Sequence, residues 1–258
     1  MTRVLVVSDL HAGSTVSVMP DEVWTEDDQG RRNRICSNAI QRVLYRKWEQ
    51  MCADVGQVDA CFVLGDTIDG PNIKSRGFEL WTPNLSLQCR TAADLLSMVK
   101  TRKYYGVQGS YYHVGENTSS DLAVMDMMRG EFGTDLVVTV GDARIHLCHE
   151  IGYSASPVSK ATAPSSEIAV SALHDEHMGK FDLLLRGHRH DYYDLRTAFG
   201  HIAGCPCWKV RDAFAAKKGL KMLSNLGYLL LDIQGSDIRI EPTVWVPRQD
   251  HQFKAVTL

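Results

Sequence analysis

Residues 3–11 read RVLVVSDLH, a short apolar run that closes on a serine and then delivers Asp9 and His11. Unbroken Val and Leu over so few positions is the pattern of a strand covered on both faces, as in a parallel sheet with helices packed against it. The same form recurs along the chain. Residues 58–64 (VDACFVL) stop at Gly65 and deliver Asp66, and residues 104–108 (YYGVQ) stop at Gly109 and deliver Ser110 and His113. Residues 143–148 (ARIHLC) deliver His149, and residues 181–186 (FDLLLR) stop at Gly187 and deliver His188 and His190. In α/β sheets, ligand sites gather beyond the carboxyl ends of the strands, so residues distant in sequence can meet there. A lone Asp or His is more often an ordinary core or surface residue. Five strand ends in succession, each closing on a side chain able to bind a metal, point to one shared site.

Between these runs lie helical patterns. Residues 36–54 place Ile40, Val43, Leu44, Trp48 and Met51 at helical spacing, and further helices are expected over 86–101, 119–131 and 166–178, with Ser119 or Ser120 as a cap. Residues 12–34 read as polar and irregular, and 150–165 as a loop. Strands 135–140 and 143–148 bracket the turn Gly141-Asp142; 192–198, 201–204, 226–234 and 237–246 complete a β-rich second half. With no linker and no internal repeat, the order predicts one domain over 1–258, an α/β fold of two sheets face to face with helices outside.

Composition narrows the class. The chain has 258 residues, 44% of them hydrophobic, which suffices for a sizeable core. No apolar run is long enough for a membrane span, and MTRVLVVSDLH reads as a first strand rather than a leader. Seven scattered cysteines, mostly within apolar segments, imply reduced thiols and a cytoplasmic setting; Cys205 and Cys207 have no second pair with which to make a zinc site. A net charge of −3 disfavours a broad nucleic-acid-binding surface, yet it leaves nucleic acid open as a substrate, because bound metal ions supply local positive charge. Oligomeric state is not legible.

Ser8-Asp9-Leu10-His11, Gly65-Asp66-Thr67-Ile68-Asp69, His149 and Gly187-His188-Arg189-His190 resemble the D-x-H, G-D-x-x-D, histidine and G-H-x-H signatures of calcineurin-like metallophosphoesterases, in that family's order. The resemblance implies a four-layer αββα sandwich with two mixed sheets at its centre. It also implies two divalent metal ions, Mn²⁺ first, with Fe, Zn²⁺ or Ni²⁺ as alternatives, that activate water against a phosphoester. By the same resemblance Asp9, His11 and His190 would bind one ion, His149 and His188 the other, and Asp66 both. Asp69 would orient a ligand imidazole.

The chain departs from the family at the third strand end, where Gly-Asn-His is usual and Gly109-Ser110-Tyr111-Tyr112-His113 stands here. In one reading Ser110 replaces Asn as a weak oxygen ligand and His113 serves the leaving group as the catalytic acid. In another His113 enters the metal shell, and in a third it is a structural loop residue. Some phage- and prophage-encoded members carry a similar small-hydroxyl variant followed by His-Val-Gly, which would place the protein in a host cytoplasm. Gly70-Pro71 follows Asp69, so the phosphate-gripping arginine of the protein phosphatase branch is absent, and Glu150 stands where Gly is usual. Tyr111, Tyr112 and Arg189 flank the expected site and are candidates for substrate contact, the tyrosines by stacking on a base. His146 reads as a core residue, and His174 and His177 as a solvated helix face. These readings favour a metal-dependent phosphodiesterase acting on nucleic acid or nucleotide. The alternatives are a phosphomonoesterase for small molecules or phosphoproteins, and a catalytically weak binding protein on the same fold.

Overall fold

The opening apolar run becomes β1 (Thr2–Val7), whose residues Val4 to Val7 are fully buried because sheet neighbours flank both edges and packed layers cover both faces. The computed structural model describes residues 1–73, 76–114, 119–152, 159–213, 216 and 224–247. In it, β1 pairs in parallel with β4 (Ala60–Val63) and antiparallel with β12 (Leu226–Gln234). A six-stranded mixed sheet results, in the order β13 (Asp237–Trp245), β12, β1, β4, β5 (Tyr104–Val107), β6 (Glu131–Gly133). A second, five-stranded mixed sheet runs β10 (Tyr193–Thr197), β11 (Gly200–Gly204), β9 (Leu183–Arg186), β8 (Ala143–Cys148), β7 (Asp135–Val140).

Alternation along the strands sets the layers. Val4, Val6, Phe62 and Leu64 face inward against Ile145, Leu147, Leu183 and Leu185 of the second sheet. Leu5, Val7, Cys61 and Val63 face the other way, onto α1 (Ala39–Val55), α2 (Leu85–Ser97) and α4 (Ser120–Met128) through Leu44, Trp48, Leu95, Val124 and Met125. On the far side, Ile168 of α5 (Thr162–Leu173) packs on Leu184 and Ile202. The architecture is therefore the expected four-layer α/β sandwich. Each fully buried Leu, Val or Phe in it contributes on the order of 1.5–3 kcal/mol of transfer free energy.

The helix starts follow their caps. Asn38 and Gln41 form a reciprocal capping box at 3.0 and 2.9 Å, and Gln41 also donates to the Ser14 carbonyl at 3.0 Å, tying α1 to the loop after β1. Ser119 caps α4 through the Leu122 amide at 3.1 Å.

Several expectations need correction. Residues 12–34 are not irregular throughout: β2 (Glu22–Glu26) and β3 (Arg32–Cys36) form a separate two-stranded hairpin. The hairpin lies mostly in solvent, so its strands carry charge instead of an apolar run. Its turn is held by the Asp27 carboxylate, which accepts from the Gln29 and Arg31 amides at 2.9 Å. The helix expected over 119–131 ends at Met128, where Arg129 turns into left-handed φ and the chain enters β6. The helix expected over 166–178 is two pieces, α5 and the single turn α6 (Asp175–Met178), joined through His174. Part of the loop expected over 150–165 lies outside the described residues, as does Gly115.

Candidate metal centre

The carboxyl ends of β1, β4, β5, β8 and β9 meet because their following loops hydrogen-bond to one another. The Asp9 amide donates to the Gly65 carbonyl at 3.1 Å, the His11 amide to Asp66 at 3.0 Å, and the Gly187 amide to His149 at 3.1 Å. The approach is close: a Cβ on Gly109 would stand 2.2 Å from Asp66 Oδ1, and one on Gly187 would stand 2.3 Å from Ser8 Oγ. Of the eight non-glycine residues with positive φ among the described residues, five are Asp9, His11, Asp66, His188 and His190. Asp and His tolerate that region better than most residues, but each such position still costs on the order of 1–3 kcal/mol. Strain gathered at one place is a mark of function.

Two donor groups form there. In the first, His190 Nε2 lies 3.2 Å from Asp9 Oδ1 and 3.1 Å from His11 Nε2, and His11 Nε2 lies 3.7 Å from the same oxygen. In the second, His149 Nε2 lies 3.1 Å from Asp66 Oδ2 and 3.3 Å from His188 Nδ1. Two atoms each bound about 2.1 Å from a shared ion stand roughly 3.0–3.4 Å apart, so both groups have the spacing of common ligands.

The remote atoms of Asp9 and His149 are already committed. Asp9 Oδ2 accepts from the Ser8 hydroxyl at 2.5 Å and the His188 amide at 3.1 Å, whereas Asp9 Oδ1 accepts no hydrogen bond. His149 Nδ1 donates to the Leu64 carbonyl at 2.5 Å, and His11 Nδ1 faces Asp69 Oδ1 at 3.1 Å. Lone pairs are thereby aimed inward, the arrangement that outer partners give metal-binding histidines. Each group draws on both sheets: Asp9, His11 and Asp66 follow strands of the first, and His149, His188 and His190 follow strands of the second.

A third cluster, His11, Asp69 and His113, also has ligand-like spacing. There, however, a cation of the chain itself is in place: Lys209 Nζ is 2.9 Å from Asp69 Oδ1.

Electrostatics favour positive charge beside the carboxylates. Burial alone would raise the Asp66 carboxyl, but His149 and His113 outweigh it and hold it below the ordinary range. Burial likewise opposes charge on His149, yet Asp66 and Asp9 push its imidazole up to about 10. Asp69 is also held low, because Lys209 and His11 outweigh its burial. The carboxylates thus demand a cation, and a mixed carboxylate–imidazole set suits Mn²⁺, Fe or Zn²⁺ better than Ca²⁺.

The remaining candidates lie close by. Ser110 donates its amide to Asp66 Oδ1 at 2.8 Å, and its hydroxyl is 3.2 and 3.1 Å from the two Asp66 oxygens. His113 sits on the one-turn helix α3 (Tyr111–Val114), with Nδ1 2.8 Å from the Asp69 carbonyl and Nε2 4.0 Å from Asp66 Oδ2. Tyr112 donates to Asn72 Oδ1 at 2.7 Å and packs edge-on against His113, while Tyr111 is 67% exposed. Arg189 turns away: its guanidinium lies over the Tyr193 ring and donates to the Lys160 carbonyl at 2.9 Å. His146 is half-buried on the outer face of the second sheet, stacked on Phe181 and bonded to Asp135 and Arg186, while His174, His177 and Glu150 are exposed.

Two contributors were missed from sequence. Asp121 accepts from the Thr67 amide and hydroxyl at 2.9 and 2.6 Å and from the Gly109 amide at 2.7 Å, clamping the Asp66 loop to the Ser110 loop. Its place in a first helical turn reads as ordinary dipole compensation. Lys209 stands in a stretch with no motif at all.

Fold and site together define a two-sheet α/β protein with candidate metal-binding groups at its strand ends. No protein-family model matches the chain, and no curated protein sequence does. Among solved structures, Vps29 from Entamoeba histolytica complexed with Zn²⁺ is 13% identical, with 94% of this chain and 98% of that chain covered and a TM-score of 0.47. Vps29 from Chaetomium thermophilum is 13% identical, covering 95% and 97%, with a TM-score of 0.46. A predicted phosphoesterase from Streptococcus pneumoniae is 14% identical, covering 98% and 92%, with a TM-score of 0.42. Likenesses this remote carry no functional argument for this chain.

Proposed function

We propose that the chain is a dinuclear-metal-dependent phosphoester hydrolase, acting on the phosphodiester of a nucleic acid or nucleotide. The observation that carries this reading is the pair of carboxylate–imidazole groups at ligand-like spacing, with Asp9 and His149 held by hydrogen bonds to their outward atoms. Bound there, two divalent ions would supply charge neutralisation for a phosphoryl group and a water more acidic than bulk. The chain's own residues do the positioning. Asp66 belongs to the second group and, on this reading, would also reach the ion of the first, while Ser110 fixes its carboxylate from behind. A carbonyl can only accept, so the His113 proton resides on Nδ1 against Asp69, and the neutral ring offers Nε2 as a lone pair. That supports His113 as a ligand or proton acceptor over the acid reading. Exposed Tyr111, next to Ser110, offers a stacking face for a base, and no arginine follows Asp69 to select a phosphomonoester.

The test is turnover of bis(p-nitrophenyl) phosphate and p-nitrophenyl phosphate by chelator-stripped protein given Mn²⁺, Zn²⁺ or Ca²⁺. Restoration by Mn²⁺ with the diester preferred is expected. Equal rescue by Ca²⁺ would overturn the ligand assignment. Tight Mn²⁺ binding with no turnover of either ester would move the assignment to a binding protein.

A further inference from the structure

Residues 205–210, which follow β11, pass directly behind the metal centre. The Trp208 amide donates to the Asp9 carbonyl at 3.0 Å, the Val18 amide to Trp208 at 3.0 Å, and the Val210 amide to Val16 at 3.0 Å. Ser17 and Lys209 form an isolated β-bridge in the same seam. This backbone network fixes the side chain of Lys209 inward, where it is 4% exposed. Its ammonium lies 2.9 Å from Asp69 Oδ1 and 2.9 Å from Asp212 Oδ2. Asp69 is fully buried; its Oδ1 also faces His11 Nδ1 at 3.1 Å, its Oδ2 accepts from Asn72 at 2.9 Å, and its carbonyl faces His113 Nδ1 at 2.8 Å. Asp212, Lys209 and Asp69 thus form one chain of ion pairs that ends 3.1 Å from His11 Nδ1.

Stability does not explain that chain. Desolvating an ammonium and a carboxylate costs about as much as their attraction returns, and well-packed apolar residues often do as well in their place. What the pair does achieve is local. An Asp69 carboxylate matched by an ammonium stays charged 3.1 Å from His11 Nδ1, a position that favours a proton there and leaves the His11 Nε2 lone pair facing Asp9 and His190. The ammonium also neutralises the one carboxylate of the His11, Asp69 and His113 cluster, so that cluster does not compete with the two groups beside it.

We propose that Lys209 is a positioning residue of the metal centre, acting through Asp69 to set the His11 tautomer and to close the third donor cluster to metal. The inference rests on the metal-centre reading given above, and its test separates the two. Mn²⁺ binding by calorimetry and the ¹⁵N NMR tautomer of His11 in metal-free protein are measured for wild type, Lys209→Gln, Lys209→Met, Asp69→Asn and the Lys209→Met/Asp69→Asn double variant. The wild type should carry its imidazole proton on Nδ1. The Lys209 variants should show mixed tautomers and a 10–100-fold weaker affinity at one Mn²⁺ site, the range typical of lost outer partners. The double variant should bind no more weakly than Asp69→Asn. A folded Lys209→Gln with wild-type tautomer and affinity would overturn the proposal, as would a double variant tenfold weaker than Asp69→Asn. If both Lys209 single variants fail to fold while the double variant folds and binds like Asp69→Asn, the pair belongs to folding and the proposal falls. A wild type that takes up no Mn²⁺ would sink the metal reading, while the tautomer measurement would still decide the role of Lys209.

Discussion

Asp66 is the residue on which most of the site leans. It lies 3.1 Å from His149, accepts from Ser110 on the opposite side, and faces His113 at 4.0 Å. Asp66→Asn is expected to abolish turnover and to reduce bound Mn²⁺ from two equivalents, as read by elemental analysis; two retained equivalents with wild-type activity would refute its shared role. Asp121 tests the supporting shell. Asp121→Ala leaves the buried Thr67 and Gly109 amides without their acceptor, at about 1–3 kcal/mol per unsatisfied group. A loss of about 3 kcal/mol in denaturant unfolding is expected, and a loss below 1 kcal/mol would show that water replaces the carboxylate. The ligands were legible in sequence because each ends an apolar run. Asp121 and Lys209 were not, because they act across 54 and 140 residues of chain and carry no local pattern.

Elements were legible in proportion to their burial. β1, β4 and β9 are buried along most of their length and read as unbroken apolar runs. The β2–β3 hairpin, lying mostly in solvent with Trp24 at 51% exposure, has charged partners such as Glu22 and Arg34 and no apolar stripe. The single turn of α3 and the three residues of β6 are too short to show a period. Helix starts, by contrast, depend on one side chain. Asn38→Ala removes one half of the capping box of α1 and should cost about 1 kcal/mol by thermal denaturation. Mn²⁺ affinity should stay unchanged, since Asn38 reaches only the Thr15 carbonyl of the loop after β1 and touches no member of either donor group; a tenfold fall in affinity would contradict that separation.

For the molecule as a whole, a bound metal would be linked to folding. An ion that binds only the native state at about 100 times its Kd adds about 2.7 kcal/mol. In a chain of this size, each kcal/mol moves Tm by roughly 2–4 °C. Saturating Mn²⁺ should therefore raise Tm by about 5–10 °C over chelated protein, with Ca²⁺ giving less; an unchanged Tm would count against a folded-state site. The rise should fade as pH drops, because protons compete with the ion for the same imidazole lone pairs.

Both donor groups take ligands from each of the two sheets. Without an ion, the sheets are held against sliding by the interdigitation of side chains such as Phe62 and Leu147 and, at the strand ends, by hydrogen bonds such as the one from His149 to the Leu64 carbonyl. An ion in either group would add a rivet through the sandwich to those weaker ties. Shear would then have to break coordination bonds at one end of the strands before it could move the other. The loss of a bound metal would accordingly be felt as slack far from the candidate metal centre, along the length of the interface.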